Sequence, residues 1–242
     1  VERFMPDHLH IHAFSLAPGW HDADVDALGL RFPDRKVGVM GLFSQSPCDP
    51  SPAGILGGDV LSHFALEVDY EAGHLTLDGP PLGGAETLAL ELAGGGTLQL
   101  AAESGSHPVG ATRMLVEVEI EGRRATALID TGASLTVLSK GLLAQLGNPS
   151  RLQACCQGFA TQSGAVSAPV FRLAQVKIGS LTLEQVPATV LDDAALFTPL
   201  SAEVGRAVEL LIGGSVLRHL VVRIDGRAGE LALRRGGSTQ VA

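Results

Sequence analysis

The strongest constraint on this chain is that it repeats itself. Residues 56–77 read LGGDVLSHFALEVDYEAGHLTL, and residues 212–233 read IGGSVLRHLVVRIDGRAGELAL. Aligned without gaps at an offset of 156, they match at ten of 22 positions, among them Gly57/Gly213, Gly58/Gly214, Asp69/Asp225 and Gly73/Gly229. Most mismatches keep their character, as in Leu66/Val222 and Val68/Ile224. Self-similarity at a fixed period signals a repeated structural unit. The expectation is two similar lobes. The 242 residues suffice for two lobes of roughly 100 residues each. An apolar content of 45% argues against general disorder.

Each copy parses in the same way. An apolar strand end meets Gly-Gly, and a short helix follows, expected to be capped by Asp59 in one copy and Ser215 in the other. Both side chains offer an oxygen to the free N–H groups of a first helical turn. A strand then reaches a turn at Asp69–Gly73 or Asp225–Gly229, and a second strand returns. The alternation in LEVDY and HLTL fits half-buried strands. Asp69 and Asp225 read as turn formers rather than acids. Elsewhere, Met114–Glu121 alternates as a strand and turns at Gly122 into Ala125–Asp130. Ser139–Leu146 reads as a short helix, with Ser139 as cap and Gly147 as stop. Val170–Ile178 and Leu181–Leu191 pair around Gly179-Ser180, and Leu28–Val39 resembles that pair at an offset near 150. Thr87–Leu92 and Thr97–Ala101 read as a hairpin across Gly94–Gly96, and Ala194–Arg206 as a surface loop. The division expected is a first lobe over 1–102, a linker over 103–110 (ESGSHPVG), a second lobe over 111–235 and a tail over 236–242.

Residues 127–134 read ALIDTGAS. The D-T-G triplet follows apolar Leu128 and Ile129, and a helical LLAQLG pattern comes after it. About 80 residues later comes LLIGGSVL, an apolar strand end, a Gly pair and a helix. This order resembles the retropepsin-like aspartic peptidases, above all bacterial ones in which such lobes occur singly or as tandem pairs. The resemblance covers Thr112–Leu233 well, Leu28–Leu77 for the first copy, and Val1–Ala27 poorly.

The resemblance implies an all-β fold of two acid-protease lobes, each with a short helix, the first lacking its catalytic turn. It implies an aspartic endopeptidase that cuts extended peptides or unstructured protein. Asp130, Thr131 and Gly132 would form the catalytic turn. Ser134 and Phe159 would touch substrate, Phe159 at the tip of a flap over Gly158–Gly164 (GFATQSG). No cofactor and no metal is implied, and the resemblance points to the periplasm or to secretion. The chemistry needs two carboxylates about 3 Å apart that share one proton. The ionised one takes a proton from water while the protonated one donates to the substrate carbonyl. Gly132 lets the backbone turn sharply after the acid. Ala133 stands where the pepsin branch carries Ser or Thr, which implies a less acidic working pH.

The chain contains a single D-T-G. The repeat offset places the first lobe's equivalent acid about 20–26 residues before Val1. The chain therefore reads as a processed or truncated piece. The second carboxylate would come from a segment upstream of Val1 or from a second subunit. The competing reading is a non-catalytic peptide- or partner-binding module on the same fold. A net charge of −9 argues against nucleic acid, which needs a basic face. No apolar run reaches the ~18 residues of a membrane span. His8, His10 and His12 alternate and would suit a metal, but they read better as one polar strand face. Asp22, Asp24 and Asp26 imitate a calcium loop, which Ala27 and Pro33 then contradict. Three cysteines, Cys48, Cys155 and Cys156, leave the compartment open.

Overall fold

The structure is a computed structural model, and it describes residues 10–11, 19–27, 30–39, 61, 64–94, 96–99, 106–109, 113–147, 155–161, 164–194 and 196–236. These residues are mostly β-strand with a few short helices. They fall into two compact units, one of residues 1–61 with 95–111, the other of 62–94 with 112–242. In chain order the first strands are β1 (His10–Ile11), β2 (Gly19–Ala27), β3 (Leu30–Val39), β4 (Ala65–Asp69), β5 (His74–Leu77), β6 (Glu86–Ala89), β7 (Glu91–Ala93), β8 (Gly96–Gln99) and β9 (Ser106–Val109). In the first unit β1, β2 and β3 form one antiparallel sheet, and β8 pairs with β9.

The second unit adds β10 (Arg113–Ile120), β11 (Arg123–Ile129), β12 (Thr136–Ser139), α1 (Lys140–Gln145), β13 (Cys155–Thr161), β14 (Gly164–Ile178) and β15 (Leu181–Leu191). It ends with α2 (Phe197–Val204), β16 (Leu210–Ile212), α3 (Gly214–Leu217), β17 (Leu220–Asp225) and β18 (Glu230–Arg235). An eight-stranded sheet runs β13-β14-β15-β12-β16-β11-β10-β7, and β14 also pairs with β10, so the sheet curls shut. Glu121 and Gly122 join β10 to β11 with φ of 51° and 84°, the primed turn that suits the twist of a tight hairpin. Inside lie Ile120, Ala127, Leu138, Leu142, Val176 and Ile212, all 0% exposed. In α1 the Ser139 side chain accepts the Leu142 amide, and Gly147 follows the helix at φ 79°. The Ser cap and Gly stop thus act as expected.

Two local readings are corrected. The hairpin across Gly94–Gly96 does not form, because β6 pairs with β18, β7 with β10, and β8 with β9. The turn signal is outweighed by distant burial: Leu90 is 5% exposed and joins the main core, against which Leu88 packs. β9 lies inside the stretch read as a linker. Ala194–Arg206 is no loop either, since it holds α2, whose Phe197 and Leu200 are buried. They cover a second core cluster with Leu115, Leu128, Val137, Val208 and Leu211. Pro199 falls in the first turn, where a missing N–H does no harm, and Gly205 stops the helix at φ 75°.

A five-stranded sheet runs β5-β4-β17-β18-β6. Its two hairpins are the two sequence copies, and their registers coincide at the offset of 156. Leu66 faces Leu77 in the first, and Val222 faces Leu233 in the second. The turns coincide as well. Asp69 Oδ1 accepts the Ala72 amide at 2.9 Å, and Asp225 Oδ1 accepts the Ala228 amide at 3.1 Å. Gly73 and Gly229 follow at φ 64° and 67°. The copies meet where β4 runs antiparallel to β17, with Glu67 opposite Arg223, which hold the same place in the two copies. An antiparallel pair centred on equivalent residues has a local two-fold axis at its centre. Burial does not follow that axis: Leu75 is 38% exposed, whereas its counterpart Leu231 is 0% exposed.

Candidate active site

β16 lies between β11, to which it is parallel, and β12, to which it is antiparallel. The residues between β11 and β12 therefore arch over the end of β16, and they begin with Asp130. The Asp130 amide donates to the Ile212 carbonyl at 3.0 Å, which ties the acid to that strand end. The Gly132 amide donates to Asp130 Oδ1 at 2.9 Å, and the Ala133 amide to the Asp130 carbonyl at 3.3 Å. One carboxylate oxygen is thereby fixed by the turn. The other has no hydrogen-bond partner among the described residues. Asp130 is half-buried, while Thr131, Gly132 and Ser134 are exposed. The D-T-G turn thus presents an oriented carboxylate and an open rim.

The loop rests on a glycine floor. A Cβ on Gly213 would lie 2.3 Å from the Leu135 carbonyl oxygen and 2.8 Å from that of Ala133. Only a residue without a side chain lets these backbones approach so closely. The Gly214 amide donates to the Ala133 carbonyl at 2.7 Å. Beside this contact sit two hydroxyl residues, Thr136 and Ser215, each 0% exposed. The Thr136 amide donates to Ser215 Oγ at 2.8 Å, and Ser215 Oγ donates to Thr136 Oγ1 at 3.0 Å. The expected role of Ser215 as helix cap is corrected here. Gly213 is the cap residue of α3 and no side chain caps that helix. Ser215 lies inside the helix because its hydroxyl serves the buried Thr136 amide instead. Thr136 itself was not singled out, although a Thr and a Ser enclosed in the apolar runs LTVL and GSVL are the kind of signal that marks a buried polar pair.

The other site expectations fall as follows. Ser134 stands in the same loop as Asp130. Phe159 lies on β13 opposite Val166, and β13 and β14 close with Thr161 opposite Gly164. The stretch read as a flap is thus the closed end of a hairpin at one edge of the eight-stranded sheet. His10 lies on β1, while His8 and His12 are outside the described residues. Among the described residues no group of three or more His, Cys, Asp or Glu is placed to hold a metal ion. No described helix is long and apolar enough to cross a membrane. Sequence reasoning passed over Tyr70, whose ring packs against the main core. Burial first, and the negative charge of Asp130 second, push its hydroxyl above the ordinary tyrosine value.

Residues 116–219 match the family described as "gag-polyprotein putative aspartyl protease". The matched stretch takes in the Asp130 loop, α1, the β13–β14 hairpin, β16 and α3. Over this segment the chain is similar to aspartyl proteases. Among solved structures, the retropepsin-like aspartic protease from Rickettsia conorii is similar at 23% identity and a TM-score of 0.36, over 50% of this chain and 89% of that one. None of the curated proteins matches the chain. The matched segment includes Asp130 and the Gly213–Gly214 floor beneath its loop.

Proposed function

We propose that the chain is an aspartic endopeptidase acting on extended peptides or unstructured protein. One observation carries the reading: a half-buried Asp130 on the loop over β16, one oxygen held by the Gly132 amide and the other without a hydrogen-bond partner among the described residues. The family match to this segment supports the same reaction type. A second carboxylate would come from another lobe of the same kind, in the same polypeptide or in a second subunit. The coinciding hairpin registers and the two-fold axis at Glu67/Arg223 support a duplicated unit, with 1–102 and 111–235 as the lobes of this reading. In this reading the dyad shares one proton, the ionised member takes a proton from a bound water, and the protonated member donates to the scissile carbonyl oxygen. Thr131 and Gly132 hold the turn, and Ser134 and Phe159 line the path of the peptide.

The test follows cleavage of an unstructured protein by the chain complemented with a second lobe, fused or added. Asp130→Asn keeps the shape of the side chain but cannot share the proton. It should lower the rate by about 10²–10⁴-fold, the usual scale of acid–base catalysis. Equal cleavage by both forms refutes the role of Asp130. Tight binding of a labelled peptide without cleavage by either would instead identify a non-catalytic binding module.

A further inference from the structure

The two hairpins of the five-stranded sheet are alike in register but not in what lies beyond them. Along β18 the outer edge is filled. The Leu90 amide donates to the Gly229 carbonyl at 2.8 Å, and β6 continues the pairing with Leu88 opposite Leu231 and Glu86 opposite Leu233. Hydrogen-bonded and unbonded pairs alternate along an antiparallel ladder, so Gly229, Leu231 and Leu233 turn their backbone groups to β6. Their counterparts in the first copy are Gly73, Leu75 and Leu77. There the Asp78 amide donates to the Ala65 carbonyl at 2.9 Å, and Thr76 stands opposite Glu67. The same alternation gives the backbone groups of His74 and Thr76 to β4 and turns those of Leu75 and Leu77 outward. No strand among the described residues pairs with them, since β5 ends its sheet. The difference runs the length of the edge. A Cβ on Gly229 would lie 3.3 Å from the Leu90 carbonyl oxygen, and one on Gly73 would meet nothing within 4 Å. Leu231 and Leu233 are 0% and 1% exposed, whereas Leu75 is 38% exposed and Leu77 is only half-buried. The repeat offset carries β6 to positions before Val1, so no residue of 1–242 is its counterpart.

We propose that the outer edge of β5 is a strand-addition site. Its occupant is an extended protein segment patterned like the E-T-L-A of β6, running antiparallel to β5 with a leucine opposite Leu75. The local two-fold axis argues for this occupant. It sets the edge of β5 where the second copy binds β6, and the two copies share their register and their turns. Strand addition takes affinity from main-chain hydrogen bonds and specificity from alternate side chains. The outward amides and carbonyls of Leu75 and Leu77 supply the first, and the exposed Leu75 side chain the second. The edge is also undefended. Open edges are ordinarily blunted by Lys, Pro or an inward charge, and His74–Leu77 (HLTL) carries neither Lys nor Pro. The site asks no catalytic activity of the chain, so it stands apart from the peptidase reading.

The probe is a labelled peptide of residues 84–92 (GAETLALEL), the stretch that includes β6. In the free full-length chain the Leu75 and Leu77 amides should exchange fast with solvent, while the Thr76 amide is protected by β4. The peptide should bind, as read by fluorescence anisotropy, and should slow exchange at Leu75 and Leu77. Leu75→Lys leaves the pairing with β4 intact and should weaken binding about tenfold, the worth of one buried leucine contact. Leu88→Lys in the peptide should do the same, and it needs no change to the protein, so a folding defect cannot imitate it. No binding, or binding without new protection, overturns the proposal. Binding that Leu75→Lys leaves unchanged overturns it too, since the peptide has then displaced β6 from β18. Slow exchange at Leu75 and Leu77 before any peptide is added, in a chain that sediments as a dimer, would overturn it in favour of a second copy as the occupant.

Discussion

At the scale of single residues, the site is set more by what is missing than by what is present. Gly213 is required because two carbonyl oxygens occupy the space a methyl group would need. Gly213→Ala should therefore cost about 1–3 kcal/mol, the range for overpacking a tight site, and should disturb the Asp130 loop through Ala133 and Leu135. Gly83→Ala is the control, since a Cβ there meets nothing within 4 Å. Urea unfolding of both variants checks it, and equal midpoints would show that the floor yields freely. The D-T-G turn and the Gly-Gly pair were legible in the sequence because both are local: a sharp turn and a close approach each ask for glycine at one position. Thr136 and Ser215 were not legible as a pair. Each owes its role to a partner far along the chain, as Thr136 does to Ser215 across 79 positions.

At the scale of elements, short-range rules worked where a segment satisfies itself. The Ser139 cap, the Gly147 stop and the Leu181–Leu191 strand needed only neighbours in sequence. They failed at β6 and β7, whose partners are β18 and β10, and at α2, whose apolar face is defined by a core cluster the helix does not touch in sequence. One side chain fastens β6 to the turn between β14 and β15. The Ser180 amide and hydroxyl donate to Glu86 Oε2 at 2.7 and 2.6 Å. These two bonds, the hydroxyl first, hold the Glu86 carboxyl below the usual glutamate range. A carboxylate depressed in the folded state adds stability above its unfolded value and loses it as pH falls through the folded one. The melting temperature of wild type should thus exceed that of Glu86→Gln at pH 7, and the gap should close as pH drops through the carboxylate range. A gap of constant size from pH 7 to pH 3 would assign the difference to packing.

At the scale of the whole molecule, the repeat was the most legible feature, and its meaning lies in pairing. The sequence showed two similar segments. It could not show that they lie side by side, because strand order depends on which apolar faces find each other. Glu67 opposite Arg223 offers a test of that arrangement. Glu67→Arg sets two arginines face to face across β4 and β17, and Arg223→Glu sets two glutamates there. Each single change should destabilise by about 0.2–1 kcal/mol, the scale of a cross-strand pair. The double exchange should recover most of the loss, as a double-mutant cycle in denaturant would reveal. Additive losses in the double variant would mean that the two positions are not neighbours.

The β4–β17 pairing also has a consequence in time. During synthesis the first hairpin leaves the ribosome about 150 residues ahead of the strand that pairs with it. At about 5–20 residues per second that is a wait of roughly 8–30 s. Until β17 arrives, β4 is an open edge able to recruit any other strand. Nascent chains of this protein should therefore depend on whatever shields residues 65–69 in that interval, and crowded translation is where they would first be lost to aggregation.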